Sequence, residues 1–257
     1  MNMETALENR RKKILELLEN GGRIRVGELA RLFGISEVSI RNDLICMERG
    51  GHLERTHGGA IPTGRTYYNL DFNGRRSKNS DEKKLIAAAA VSLVHDGDTV
   101  MLNSGSTCCY IASELKKLRN LKFITNSFAV SDELGHHTGI ILLGGRVNTA
   151  YRFTFGTDAV NQLRGYNTDV VFLSVDGASY ENGLNTFHEE EVEVNRTMLE
   201  RAKRRVVVAD FTKIGRQSFA FIAQIKSFDI LITNENADVD ELTQIERSGV
   251  QVIKVHF

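Results

Sequence analysis

Two sets of residues have the types and spacing that chemistry needs. In the first, Ser36, Glu37, Ser39, Arg41 and Asn42 cluster at the start of a helical pattern. Arginine pairs bidentately with guanine and asparagine with adenine, so an exposed helix end bearing both suits reading of base edges. A small helical docking domain with solvated polar residues would show the same types. In the second, Asn103-Ser104-Gly105-Ser106-Thr107 follows one apolar run and precedes a helical one. Glycine lets backbone N–H groups converge, hydroxyls add donors, and a helix start favours an anion, which is phosphate-binding chemistry. A plain strand-to-helix connection would use the same small residues. The pair His136-His137 lacks a nearby Cys or carboxylate at a familiar metal-ligand spacing. Cys108-Cys109 reads as packed thiols at a helix start, and no Ser-His-Asp order or Walker-type loop is present.

The elements that must position these groups follow from periodicity. In the front segment Ile14, Leu17 and Leu18 sit at helical spacing over 10–20, and a compact helix carries Leu29, Leu32 and Phe33. Gly34 breaks it, and Ser36 is placed to cap a third helix whose Ile40, Leu44 and Met47 form one buried stripe. Two helices joined by a tight glycine turn are a helix-turn-helix, and the N-terminal part of the second would meet base edges. Short strands at 53–56 and 57–61 surround a glycine turn, and 62–80, polar and without periodicity, reads as a linker.

Beyond residue 81, helices and apolar strands alternate. Helices are expected over 84–94, 109–118, 157–163, 189–202 and 239–248, and strands over 99–103, 121–125, 140–143, 170–175, 205–209, 230–233 and 250–255. Continuous apolar strands alternating with helices imply a mostly parallel sheet covered on both faces. Ligands in such sheets bind outside the carboxyl ends of the strands. The turns Thr125-Asn126-Ser127 and Gly144-Gly145-Arg146 follow apolar strands and can converge on one crevice; Asp176-Gly177 and Asp210-Phe211-Thr212-Lys213 also stand at strand ends. Singly, each has a plainer reading: Asp176 capping a turn, Glu189 a helix, Lys213 in solvent.

Composition narrows the classes. The 257 residues carry 33 basic and 33 acidic side chains, 41% hydrophobic residues, 22 Gly and one Pro, which exclude wholesale disorder, a collagen-like repeat and a polyelectrolyte tail. The balance hides a division, because residues 1–78 hold 14 basic against 10 acidic side chains, a sign that favours a polyanion partner. No apolar run reaches the ~20 residues that cross a bilayer. The N-terminal stretch lacks the apolar core of a secretory signal, and three cysteines offer no disulfide framework, so a reduced cytoplasmic protein is expected.

The stretch RRKKILELLENGGRIRVGELARLFGISEVSIRNDLICMERGGHLERTHGGAI resembles the N-terminal winged helix of DeoR-family bacterial transcriptional regulators, in its helix-turn-helix, its S-x-x-S-I-R-N-D-L run and its H-G-G-A wing. From about residue 82 to 255 the chain resembles that family's sugar-phosphate sensing domain, similar in fold to ribose-5-phosphate isomerases. The nearest likeness is to regulators of galactitol and amino-sugar catabolism. The expected architecture is thus α/β: an N-terminal winged helix-turn-helix domain (1–61), a linker (62–80) and a mostly parallel, isomerase-like α/β effector domain (81–257). The resemblance implies that Ser39, Arg41 and Asn42 face DNA, with Ser36 and Glu37 beside them and His57 and Gly58 in a wing next to Arg55. It implies an effector pocket of Asn103, Gly105, Ser106, Thr107, Asn126, Gly145, Arg146, Asp176, Glu189 and Lys213. The family often carries Arg at the position of Asn42, Asp at Asn103 and Asn at His188. Expected partners are double-stranded operator DNA and a phosphorylated sugar or sugar alcohol, with no cofactor, no metal and no membrane. Reading two half-sites requires a homodimer or homotetramer. The competing class is a sugar-phosphate isomerase with a docking module, in which Asp, Glu and Lys around a phosphate would shuttle protons. A recognition helix has no use in that enzyme.

Overall fold

The computed structural model describes residues 3–21, 23–49, 53–56, 58–62, 72–135 and 139–256. His57, Tyr67, Tyr68, His136 and His137 lie outside them. The chain divides into two compact units, Met1–Leu70 and Asp71–Phe257.

The first unit contains α1 (Met3–Gly21), β1 (Ile24–Arg25), α2 (Val26–Phe33), α3 (Glu37–Arg49), β2 (Leu53–Thr56) and β3 (Gly59–Pro62). The strands form an antiparallel sheet in the order β1-β3-β2. Ile14, Leu18, Leu29, Ile40, Leu44, Met47 and Leu53 make one core, so the stripe expected on the third helix is buried. Leu32, expected with the apolar residues of α2, is instead 60% exposed. Gly34 ends α2 in the left-handed conformation, φ 65°, where its N–H bonds Ala30 O, and this permits the abrupt turn into α3. Ser36 Oγ accepts from the Ser39 N–H at 3.2 Å and lies 3.0 Å from Ser39 Oγ, so the cap of the recognition helix is made by both serines. Asp43, on the inner side of α3, accepts from Arg10 at 2.7 Å and Arg11 at 3.4 Å and so ties α1 to α3.

The second unit opens with α4 (Phe72–Ser77) and α5 (Ser80–Val91). These helices correct the reading of 62–80 as linker: residues 72–80 belong to the folded unit. Phe72 is buried, Arg75 reaches Asp176 at 3.0 Å, and Lys83 Nζ caps the carbonyls of Lys78 and Arg75, the latter at 2.6 Å. A six-residue helix is unstable alone, and these long-range contacts leave no local periodicity to read.

There follow β4 (Thr99–Leu102), α6 (Ser106–Leu115), β5 (Lys122–Thr125), α7 (Phe128–Leu134), β6 (Ile140–Leu142), the hairpin β7 (Arg146–Asn148) and β8 (Phe153–Phe155), and α8 (Thr157–Arg164). Then come β9 (Thr168–Ser174), β10 (Gly177–Ser179), β11 (Gly183–Thr186), α9 (Val192–Glu200), β12 (Ala202–Val208), β13 (Ala220–Ala223), β14 (Ile230–Asn234), α10 (Val239–Arg247) and β15 (Gln251–Val255). Seven strands form a wholly parallel sheet in the order β15-β14-β12-β9-β4-β5-β6. Alternate strand residues feed two cores. Val100, Leu102, Val170, Phe172, Val206 and Val208 pack with α5, α6 and α7. Met101, Val171, Leu173 and Val207 pack with α8, α9 and α10. Burial on both faces is why these strands read as unbroken apolar runs. The hairpin β7–β8 and the antiparallel sheet β10-β11-β13 were not expected; β10 and β11 are built of small residues, Gly-Ala-Ser and Gly-Leu-Asn-Thr, buried throughout and so without alternation.

Replacing Asp43 with Ala leaves two arginine heads without their acceptor and should cost the first unit about 2 kcal/mol. Amides of α1 and α3 in the Asp43→Ala protein are expected to exchange roughly thirtyfold faster at a stability loss of that size. Wild-type exchange rates there would show that the ion pair does not hold the recognition helix.

Candidate functional site

In the first unit, Ser36, Glu37, Ser39, Arg41 and Asn42 are all exposed along the start of α3. Arg41 Nη2 rests on Glu37 Oε2 at 2.7 Å, a pair more than half exposed on both sides, so little free energy holds the guanidinium back from another acceptor. Val38, between these residues and 63% exposed, offers an apolar surface of the kind that meets a thymine methyl. It was not singled out from the sequence, where only the polar residues at the start of this helix were weighed. Arg55 on β2 donates through its backbone N–H at 3.0 Å and through Nε at 2.8 Å to Glu48 of α3. Burial opposes ionisation of Glu48, yet those two Arg55 bonds hold its carboxyl below the usual range. Gly58 is exposed at the turn before β3, and its carbonyl accepts from Val26 N–H at 2.9 Å.

In the second unit the sheet order reverses between β4 and β9. From β4 the chain proceeds outward through β5 and β6; from β9 it proceeds the other way through β12, β14 and β15. Loops leaving the carboxyl ends of β4 and β9 therefore part and open a crevice. Asn103 bridges it. Its Nδ2 donates to Ser174 O at 2.9 Å and Asn195 Oδ1 at 3.2 Å, and its Oδ1 accepts from Ser174 N–H at 3.0 Å and Gly105 N–H at 3.4 Å. With its amide engaged at both ends, Asn103 is a clamp between two strand ends. Gly105 is needed beside it, because a Cβ there would fall on the Ser174 side chain. Ser106 and Thr107, both buried, begin α6 and direct its free amide end toward the crevice.

Further polar groups are buried at these strand ends. Asp176 accepts from Arg75 and from Phe187 N–H, each at 3.0 Å, and lies 4.0 Å from Lys213. Burial disfavours its charge, but Arg75 and Lys213 prevail and hold the carboxyl down at about 2. Burial drives the Lys213 amine down to about 7, against the pull of Asp176 and Asp210. Asp210 caps the turn before Lys213, accepting from Thr212 N–H at 3.0 Å, and takes a further bond from Asn79 at 3.3 Å. Ser104 donates to Glu191, whose carboxyl burial raises to about 7. Asn126, fully buried at the end of β5, donates to Thr154 O at 3.0 Å, while its Oδ1 has no hydrogen-bond partner. His188 is buried among Tyr151, Phe153 and Phe187, and its Nε2 likewise has none. Burial holds the imidazole below its ordinary pKa, so the neutral ring is favoured.

Of the expected pocket residues, Asn103, Gly105, Ser106, Thr107, Asn126, Asp176 and Lys213 thus lie at the strand ends. Gly145, Arg146 and Glu189 are exposed. Arg146 stacks 5.0 Å from the Phe155 ring, and with Glu189, Glu190, Glu193 and Arg164 it lines a cavity of about 540 Å³ whose walls include neither Asp176 nor Lys213. A 3-10 turn over Glu189–Glu191 separates the two carboxylates: Glu191 faces the interior and Glu189 the solvent. The run of three glutamates gave no local means of choosing between them. Arg75 and Arg216 are among the buried or nearly buried polar groups that the sequence analysis missed. Burial pushes the Cys109 thiol up to about 12 and raises Cys108 as well, leaving both as inert packing groups. Among the described residues, no group of three or more His, Cys, Asp or Glu is placed to hold a metal ion, and no helix is long and apolar enough to cross a membrane.

Family models match both units: the DeoR-like helix-turn-helix domain over residues 10–64 and the DeoR C terminal sensor domain over residues 78–235. The chain belongs to the DeoR family. Among its relatives, a putative aga operon transcriptional repressor of Escherichia coli O157:H7 is 34% identical, covering 98% of this chain and 95% of the relative. The transcriptional repressor GlcR of Bacillus subtilis is 34% identical, over 96% and 95%. The regulator GolR of Listeria innocua is 32% identical, over 95% and 96%. Ribose 5-phosphate isomerase from Plasmodium falciparum aligns over 52% of each chain at 18% identity and a TM-score of 0.38, a likeness too slight to bear on activity. A DeoR-family chain with both domains is a DNA-binding transcriptional regulator.

The raised pKa of Glu191 sets a pH dependence. Burial raises its folded value to about 7, above the ordinary glutamate value of 4.5, so the folded state binds the extra proton and its stabilising effect fades as pH rises from about 4.5 to 7. Relative to Glu191→Gln, the wild-type protein should lose roughly 3 kcal/mol across that window. Urea unfolding of both proteins at pH 5 and pH 7 measures this; a difference independent of pH would place an ionised Glu191 in the folded protein throughout.

Proposed function

We propose that this DeoR-family regulator represses a carbohydrate-catabolism operon and leaves its operator when a phosphorylated sugar or sugar alcohol fills the strand-end site. The observation that carries the proposal is the pair of buried polar atoms without a hydrogen-bond partner, Asn126 Oδ1 and His188 Nε2, within a site that also holds Lys213 and the amide end of α6, and sugar hydroxyls can both donate and accept. Burying a polar atom without a partner is costly. The phosphate belongs at the start of α6 and beside Lys213. The relatives' names, an aga operon repressor and GlcR among them, support control of sugar genes.

On the DNA side, Arg41 and Asn42 read bases, and Ser36, Ser39, Arg55 and Gly58 contact the backbone. A single winged helix buries little surface, so the regulator acts as a homodimer or homotetramer on two half-sites. Light scattering at operator-binding concentrations tests the assembly, and a monomer there would contradict it. Two groups tuned near neutrality, Glu191 and Lys213, favour a second reading as proton-transfer residues on the same ligand. The helix-turn-helix and the relatives favour control without turnover.

The test is fluorescence anisotropy on a DNA fragment carrying the operon's promoter, with an isomerase assay alongside. Arg41→Ala should weaken operator binding by about 1–3 kcal/mol. Lys213→Ala should keep operator affinity and require far more phosphorylated sugar to release it. An Arg41→Ala protein with full affinity would remove base reading by α3. Turnover of the sugar phosphate would move the assignment to the enzyme.

A further inference from the structure

We propose that Arg75 reports the occupancy of the strand-end site to the DNA-binding unit, pairing with Asp176 when the site is empty and with the ligand's phosphate when it is filled. The inference rests on the reading of that site as a phosphosugar pocket. Arg75 stands on α4, the first described element after the segment that joins the two units in sequence. Its side chain is only 13% exposed, its Nη2 lies 3.0 Å from Asp176 Oδ1, and its guanidinium sits 5.6 Å from the Tyr151 ring that also packs on His188. One arginine therefore touches both the carboxylate at the end of β9 and the aromatic wall around the unpartnered imidazole.

Other contacts also anchor α4, and the Phe72 side chain is buried in the core beneath it. Arg76 pairs with Glu133 at 3.1 Å, Arg76 O accepts from Tyr110 at 3.0 Å, and Lys83 Nζ caps the carbonyl of Arg75 at 2.6 Å. A helix of this length has no stability of its own, so its position follows its tertiary contacts. Among the described contacts of α4, the Arg75 side chain is hydrogen-bonded to a carboxylate of the candidate ligand site.

The chemistry selects the ligand class. A neutral sugar cannot draw Arg75 from an ionised carboxylate, because hydroxyls are weaker acceptors for a guanidinium than Asp176 is. A phosphate dianion offers two oxygens in the fork geometry and competes successfully. When Arg75 turns to the phosphate, Asp176 keeps Lys213 at 4.0 Å and Phe187 N–H at 3.0 Å, and its Oδ1 becomes available to a sugar hydroxyl. The exchange moves Arg75, and α4 with it, at the point where the chain continues toward the helix-turn-helix. An empty and a filled site thereby differ in the position of α4, the first described element of the second unit, and a coupled regulator requires such a difference.

The test uses the full chain with fructose 6-phosphate, sorbitol 6-phosphate and glucose 6-phosphate as probes and unphosphorylated fructose as the control. Hydrogen exchange is followed over residues 72–79, and operator release is followed by anisotropy. In the wild-type protein a binding phosphorylated probe should change exchange over 72–79 at least about tenfold, and fructose should not. In Arg75→Gln that segment should already exchange fast, should not respond to probe, and the operator should stay bound even where the probe saturates the variant. Arg75→Lys, which keeps the charge but not the fork, should fall between and serves if the glutamine variant does not fold. Lys213→Ala should lose probe affinity, whereas its Arg75 can still pair with Asp176. If Arg75→Gln binds probe and releases operator as wild type does while Lys213→Ala binds poorly, the pocket stands and the role of Arg75 is overturned. If no phosphorylated probe binds the wild-type protein, both readings fall.

Discussion

The arrangement at the strand ends depends on the gap between β4 and β9, where the strand order reverses and the loops leaving the sheet separate. Asn103 spans that gap with its own amide, holding Ser174 by both N–H and carbonyl and reaching Asn195 on α9. Gly105 then passes against Ser174 where no side chain fits, and α6 begins with its free amides at the mouth of the crevice. Asp176 follows two residues after Ser174, so the carboxylate that holds Arg75 is positioned by the same junction. A plain strand-to-helix turn would need none of these long-range bonds.

The charges at this junction do not make the fold more stable in any simple way. Burying an ion costs several kcal/mol, and a paired ion recovers that only with good geometry. Asp176 has that geometry with Arg75 and Phe187 N–H and stays ionised, whereas Lys213, 4.0 Å from it, is pushed down to about 7. Glu191, pushed up to about 7, is likewise poised between its charged and neutral forms. A site of this kind gains from a ligand that supplies an anion for Lys213 and hydroxyls for Asn126 and His188, and binding to the folded state alone stabilises it further.

The sequence made the parallel sheet legible because strands buried on both faces are apolar through their middles, as Val100–Leu102, Val170–Leu173 and Ile230–Ile232 are. The recognition helix was legible because its cap, its glycine turn and its apolar stripe are all local. What stayed hidden depends on distant partners. Arg75 reaches a carboxylate 101 residues away, and no pattern within 62–80 signals it. Glu191 and Glu189 differ only in which way one 3-10 turn faces them. Leu32 read as one of the apolar residues of its helix, yet lies exposed.

Linkage connects the two units whatever their arrangement, since an effector that weakens DNA binding must itself bind more weakly to the DNA-bound protein. The most direct test is calorimetric titration of the binding phosphorylated sugar into the full-length regulator, alone and saturated with operator DNA. Control by occupancy of the strand-end site predicts that the Kd for the sugar rises in the presence of operator, by the same factor by which the sugar raises the Kd for operator. The same Kd with and without operator would contradict it.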